Sequence, residues 1–147
     1  LLKKEFPSTI WEFVLSSRAV YSKFFYSSKD IAVVKENLKK LDLWEIKDKS
    51  ISSLSIGQRQ RVLLCRCLCV SEKIIFLDEP TNSLDINVRK MLYDILEKLN
   101  KEGLTIVMIS HDEEAFKYSN RALVLGKENR VIENVLGKYE KGEINFD

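Results

Sequence analysis

The sequence predicts an α/β protein in two parts, a helical amino-terminal lobe followed by parallel strands alternating with helices. Two patterns carry that expectation. Over residues 1–71 the apolar residues recur at helical spacing, as in Ile31, Val34, Leu38 and Leu41. From residue 72 short apolar runs alternate with amphipathic segments in the order strand, helix, strand, helix, strand, the order of a parallel layer joined by crossovers. The size agrees: 147 residues, 45% apolar and 31% charged, suit one globular domain or two small lobes.

Each element has a local reason. "STIWEFVLSSR" opens on Ser8 and Thr9, good helix caps, and places Ile10, Phe13 and Val14 on one face. "SSKDIAVVKENLKKLDLWEI" reads as one long second helix, and "SISSLSIGQRQRVLLCRCLCV" as a third, entered through serines and a glycine. "KIIFLD" has the length and β-branched content of a buried strand, stopped by Pro80, which cannot donate to a sheet ladder. "INVRKMLYDILEKLNKEG" is a helix closed by Gly103. "LTIVMIS" is a second strand, "DEEAFKYS" a short helix and "RALVLG" a third strand.

Composition narrows the function classes. The net charge of +2 gives no ground for a nucleic-acid partner, and none is expected. No apolar run is long enough to span a bilayer, and the start has no signal-peptide pattern. The chain opens on Leu1 rather than Met, and is expected to be a piece of something longer. Cys65, Cys67 and Cys69 are too few and too closely spaced for a disulfide framework, and the only histidine, His111, is distant in sequence; small buried thiols are expected.

Four stretches carry chemistry. "IIFLDEP" delivers two adjacent carboxylates, Asp78 and Glu79, to the carboxyl end of a strand, the edge where open parallel sheets bind ligands. Crowding two like charges is costly unless a cation or a reaction uses them, although acids facing water at a strand end are also common. "LSIGQ" sets Ser55 and Gly57 at a helix start, which is either a plain cap or an anion site. "NSLD" ends on Asp85, and "SHD" places His111 just past the second strand, where a histidine is structural or catalytic.

Taken in this order, the four stretches resemble the ATPase subunit of an ATP-binding-cassette (ABC) transporter. "LSIGQ" is similar to the family's signature motif, "IIFLDEP" to its Walker B strand, "NSLD" to its D-loop and "SHD" to its switch-histidine loop. The resemblance implies a partial ABC-type P-loop ATPase core plus a helical subdomain, with residues 1–71 as the helical subdomain and 72–147 as the carboxyl-terminal part of the core. It implies ATP and Mg²⁺ as cofactors. By the same implication Asp78 holds the metal, usually through water, Glu79 orients and deprotonates the attacking water, and His111 contacts the γ-phosphate. Ser55, Gly57 and Gln58 would face ATP bound to a second ATPase subunit, identical or paralogous, and Asp85 would lie along that subunit interface. A transmembrane permease is the other implied partner, which puts the protein in the cytoplasm on the inner face of the membrane. "FPSTIWEFVLSSR" resembles the segment after the Q-loop in importers of zinc, manganese and iron chelates.

The sequence departs from that family in two ways. Ile56 stands where the signature most often has glycine. The phosphate-binding loop G-x-x-x-x-G-K-[ST] has no match: Gly126-Lys127 and Gly137-Lys138 are followed by Glu128 and Tyr139, and the Q-loop glutamine before "FPSTI" is missing too. The parent protein is expected to hydrolyse ATP and this chain alone is not. A non-catalytic interaction module and an ABC-type ATPase of DNA repair are the alternatives. In the family the phosphate-loop strand runs between "LTIVMIS" and "RALVLG". Without it the chain is expected to self-associate, or "RALVLG" to shift across and close the gap.

Overall fold

The computed structural model describes residues 8–21, 25–125 and 129–141. Phe6 and Pro7, which open the importer-like segment, and Gly126, the end of the third expected strand, lie outside them. The chain divides into two compact units, Leu1–Met108 and Ile109–Asp147.

The first unit begins with three helices. Helix α1 (Ile10–Leu15) starts at Thr9, whose hydroxyl accepts from the Glu12 N–H while the Glu12 carboxylate accepts from the Thr9 N–H. It is short because Ser16 and Ser17 turn their hydroxyls back onto the carbonyls of Phe13 and Val14, and the chain tightens into a 3₁₀ turn at Ser16–Val20. Helix α2 (Ser28–Lys40) is capped the same way by Ser27 and Asp30. The expected run to Ile46 is not formed. Asp42 adopts φ 55°, and the Leu43 N–H reaches the Leu38 carbonyl, so a left-handed cap ends the helix and Trp44–Ile46 follow as a separate 3₁₀ turn. Of the apolar face expected on α2, Val34, Leu38 and Leu41 are buried, but Ile31 is 44% exposed. Helix α3 (Ile56–Val70) packs on both, and Val62, Cys65 and Cys69 join Ile10, Val14 and Leu38 in a core with essentially no solvent access. Burying side chains of this size contributes about 1.5–3 kcal/mol each.

Strand β1 (Ile74–Asp78), helix α4 (Ile86–Lys101) and strand β2 (Thr105–Ile109) complete the α/β unit. The two strands form a two-stranded sheet. Thr105, the first residue of β2, donates to the carbonyl of Lys73, next to the first residue of β1, so the strand starts lie side by side and the pairing is parallel. Helix α4 is the crossover. Leu92, Tyr93, Leu96 and Leu99 are its buried residues, and Gly103 at φ 102° closes it as expected. One face of the sheet stays open: Phe76 is 71% and Ile109 66% exposed, and Ile74 and Val107, two residues before each of them on the same strands, are exposed as well.

The second unit holds a 3₁₀ turn (Glu113–Tyr118), strands β3 (Arg121–Val124) and β4 (Arg130–Glu133), and helix α5 (Val135–Glu140). The third expected strand therefore forms, but its partner differs from the expectation. It pairs antiparallel with β4, Arg121 opposite Glu133 and Val124 opposite Arg130, and is not hydrogen-bonded to β2. A short connection between consecutive strands allows a hairpin, whereas parallel pairing needs a long crossover.

Candidate functional site

The carboxyl end of β1 is a bent, tightly held segment. Asp78 is the last strand residue and is exposed. Glu79 then takes φ 45°, a left-handed conformation that costs a non-glycine residue about 1–2 kcal/mol. The chain turns there: the Asn82 N–H donates to the Glu79 carbonyl, and the Leu84 N–H to the Thr81 carbonyl. Pro80 and Thr81 are buried, and the Thr81 hydroxyl lies 3.5 Å from the Tyr93 hydroxyl of α4. Ser83 is a second left-handed residue, φ 63°. The turn ends at Asp85, whose carboxylate accepts from the N–H groups of Asn87 and Val88, both at 3.0 Å, and so starts α4. Strained backbone over-determined by its surroundings is characteristic of sites where side-chain placement matters.

Ser55 and Gln58 form the cap of α3. The Ser55 hydroxyl accepts from the Gln58 N–H at 3.2 Å, and the Gln58 side-chain oxygen accepts from the Ser55 N–H at 3.0 Å. The plain-cap role of these residues is thus real, and it coexists with an exposed helix start. Gly57 is buried because Val88 of α4 sits against it; a Cβ built there would lie 2.7 Å from a Val88 methyl. The first unit therefore brings the signature-like segment and the Asp85 segment together. Ile56 is 57% exposed at the start of α3.

His111 lies in the second unit and is exposed. Its neighbours fix the backbone: the Asp112 N–H donates to the Ser110 hydroxyl, and the Asp112 carboxylate accepts from the Glu114 N–H, each at 3.0 Å. Cys65 and Cys69 are buried and Cys67 is half-buried on α3. Hydrogen bonding to Cys69, then burial, pushes the Cys65 thiol well above its usual range, which suits packing rather than reactivity. Thr81, Tyr93 and Val88 are the residues that sequence reasoning missed here. Each acts through a contact across the fold, with no local pattern to mark it.

A family profile described as ABC transporter matches residues 4–82, more than half of the chain. The chain belongs to the ABC transporter family. A probable metal transport system ATP-binding protein of Chlamydia muridarum is 44% identical over 109 residues, 73% of this ABC chain and 46% of the relative. The high-affinity zinc uptake system ATP-binding protein ZnuC of Bacillus subtilis is 34% identical over 74% of this chain and 48% of its own length. Among solved structures, an inward-facing conformation of a putative metal-chelate type ABC transporter superposes with a TM-score of 0.81 at 28% identity, covering 91% of this chain and 55% of that one. The ABC chain thus spans about half the length of the curated relatives it matches. The α/β fold with its helical lobe is that of the ABC ATPase cassette.

Among the described residues no cluster of three or more metal-ligating side chains occurs. One carboxylate at the end of β1 nonetheless fits Mg²⁺, which keeps most of its waters and takes only one or two carboxylates beside substrate phosphates. The phosphate cradle itself has no counterpart in the sequence. No described helix is long and apolar enough to cross a membrane.

Proposed function

We propose that this chain supplies the water-activating and signature-bearing part of an ATP-hydrolysing ABC transporter subunit, with metal ions as the transported class. The observation that carries the reading is the left-handed Glu79 directly after Asp78 at the carboxyl end of β1, in a chain of this family. Mg²⁺ supplies charge compensation on the phosphate oxygens when bound. Asp78 would hold it. Glu79, turned away from the strand direction by its backbone, would orient the attacking water and take its proton. His111 would donate to the γ-phosphate oxygens. Ser55, Gly57 and Gln58 would approach nucleotide on a second ATPase subunit, and Asp85 would lie along that subunit boundary. A membrane permease would hold the assembly on the cytoplasmic face. The metal-ion class is supported by what the Chlamydia and Bacillus relatives are named for.

Two measurements test this. Alone, the chain should bind MgATP weakly and release no phosphate, because the phosphate-loop donors are missing. Micromolar affinity with turnover that vanishes in Glu79→Gln would overturn that statement. Joined to the phosphate-loop half of the Bacillus relative, it should hydrolyse ATP, and Glu79→Gln should cut turnover about 10²–10⁴-fold with ATP binding retained. Near-unchanged hydrolysis by the Glu79→Gln fusion removes Glu79 from this role.

A further inference from the structure

We propose that Val88 is a positioning residue for the signature-like segment, holding residues 55–58 in register with Asp85 by filling the space that Gly57 leaves open. The inference rests on the proposed assignment of Ser55, Gly57 and Gln58, with Asp85 beside them, to the surface that meets a second ATPase subunit. Gly57 and Val88 sit in the first turns of the two long helices of the first unit. The ideal Cβ position at Gly57 lies 2.7 Å from Val88 Cγ1, 3.6 Å from Cγ2 and 3.8 Å from Cβ. The valine side chain thus occupies the site a larger residue at position 57 would need. A β-branched side chain in a helix keeps one rotamer, so the methyl cannot swing aside cheaply.

The contact is one link in a continuous series. The Asp85 carboxylate accepts from the Val88 N–H at 3.0 Å, which fixes the residue at the backbone. The Val88 side chain meets Gly57, and Gly57 lies between Ser55 and Gln58, whose reciprocal cap bonds set the start of α3. Movement of the Asp85 turn is thereby passed to the signature-like segment through packed atoms. Gly57 has a structural reason for being glycine that is separate from any approach of nucleotide.

Amide hydrogen exchange on the whole chain tests the link without nucleotide, so its failure and that of the ATPase reading are distinguishable. Gly57→Ala should speed exchange at the Gln58, Arg59, Asn87 and Val88 amides together, roughly fivefold, the equivalent of a lost helix cap. Adding Val88→Ala should return both pairs towards wild-type rates, since the alanine methyl at 57 then fills the vacated volume. Asp85→Ala, which removes the cap of α4 and adds no clash at Gly57, should speed exchange at Gln58 and Arg59 as well as in α4. Ser27→Ala, which loses a comparable cap on α2, should leave all four amides within about twofold of wild type, which separates positioning from general loss of stability. Acceleration in only one pair, no rescue by Val88→Ala, or an unchanged Gln58 in Asp85→Ala would each overturn the proposal. If Gly57→Ala does not fold, the Asp85→Ala and Ser27→Ala comparison decides it.

Discussion

Glu79 and Asp30 show how much one residue's surroundings settle. Glu79 occupies a left-handed conformation that glycine adopts freely. Glu79→Gly should therefore be more stable than Glu79→Ala by about 1 kcal/mol, since both lose the carboxylate and only one relieves the backbone. Equal denaturation midpoints for the two variants would mean that the turn imposes no strain. Asp30 is buried at the start of α2, with the Arg18 guanidinium 2.9 Å away. The Ser27 hydroxyl, then the Ser27 N–H, then Arg18 lower its pKa to about 2. The folded state binds this proton less tightly than the unfolded chain, whose aspartates titrate near ~3.9. Its stabilisation is therefore complete above that value and is lost as the pH falls towards about 2. Urea midpoints at pH 5 and pH 2.5 should converge between wild type and Asp30→Asn; a gap of constant size would contradict the assignment.

Among the elements, the helical lobe and the small sheet differ in how fully their apolar surfaces are covered. Leu38 has no solvent access inside the lobe, whereas Phe76 on β1 is 71% exposed. Leu38→Ala should cost about 2–5 kcal/mol through lost burial and the cavity left behind. Phe76→Ser should change stability by no more than about 0.5 kcal/mol, the range of surface substitutions. Chemical denaturation compares the two, and a large loss for Phe76→Ser would show that the sheet face is covered in solution. Helix starts were legible in the sequence because a cap needs only residues three positions apart: Thr9 with Glu12, and Ser55 with Gln58. The end of α2 was not. No glycine marks it, and the stop depends on Asp42 accepting a left-handed backbone.

For the whole molecule, the open face of the β1–β2 sheet, with Ile74, Phe76, Val107 and Ile109, is the main liability. Apolar sheet surface beside unpaired strand edges invites association. Sedimentation velocity should show the apparent mass rising with concentration, and Phe76→Ser should weaken that rise. A monomer throughout, up to on the order of 100 μM, would run against the expectation that exposed edges associate at such concentrations. The sequence by itself determined the motif order, the caps at Thr9 and Ser55 and the alternation of strand and helix, and through the motifs the family. All of these are written within a few consecutive residues, where one side chain meets the backbone of its neighbours. Only the tertiary structure decided that β3 pairs antiparallel with β4, that Ile31 faces solvent while Val34 and Leu38 do not, and that Val88 closes on Gly57. Those outcomes depend on which surfaces meet after the chain has folded back on itself, and residues far apart in sequence carry no local record of that meeting.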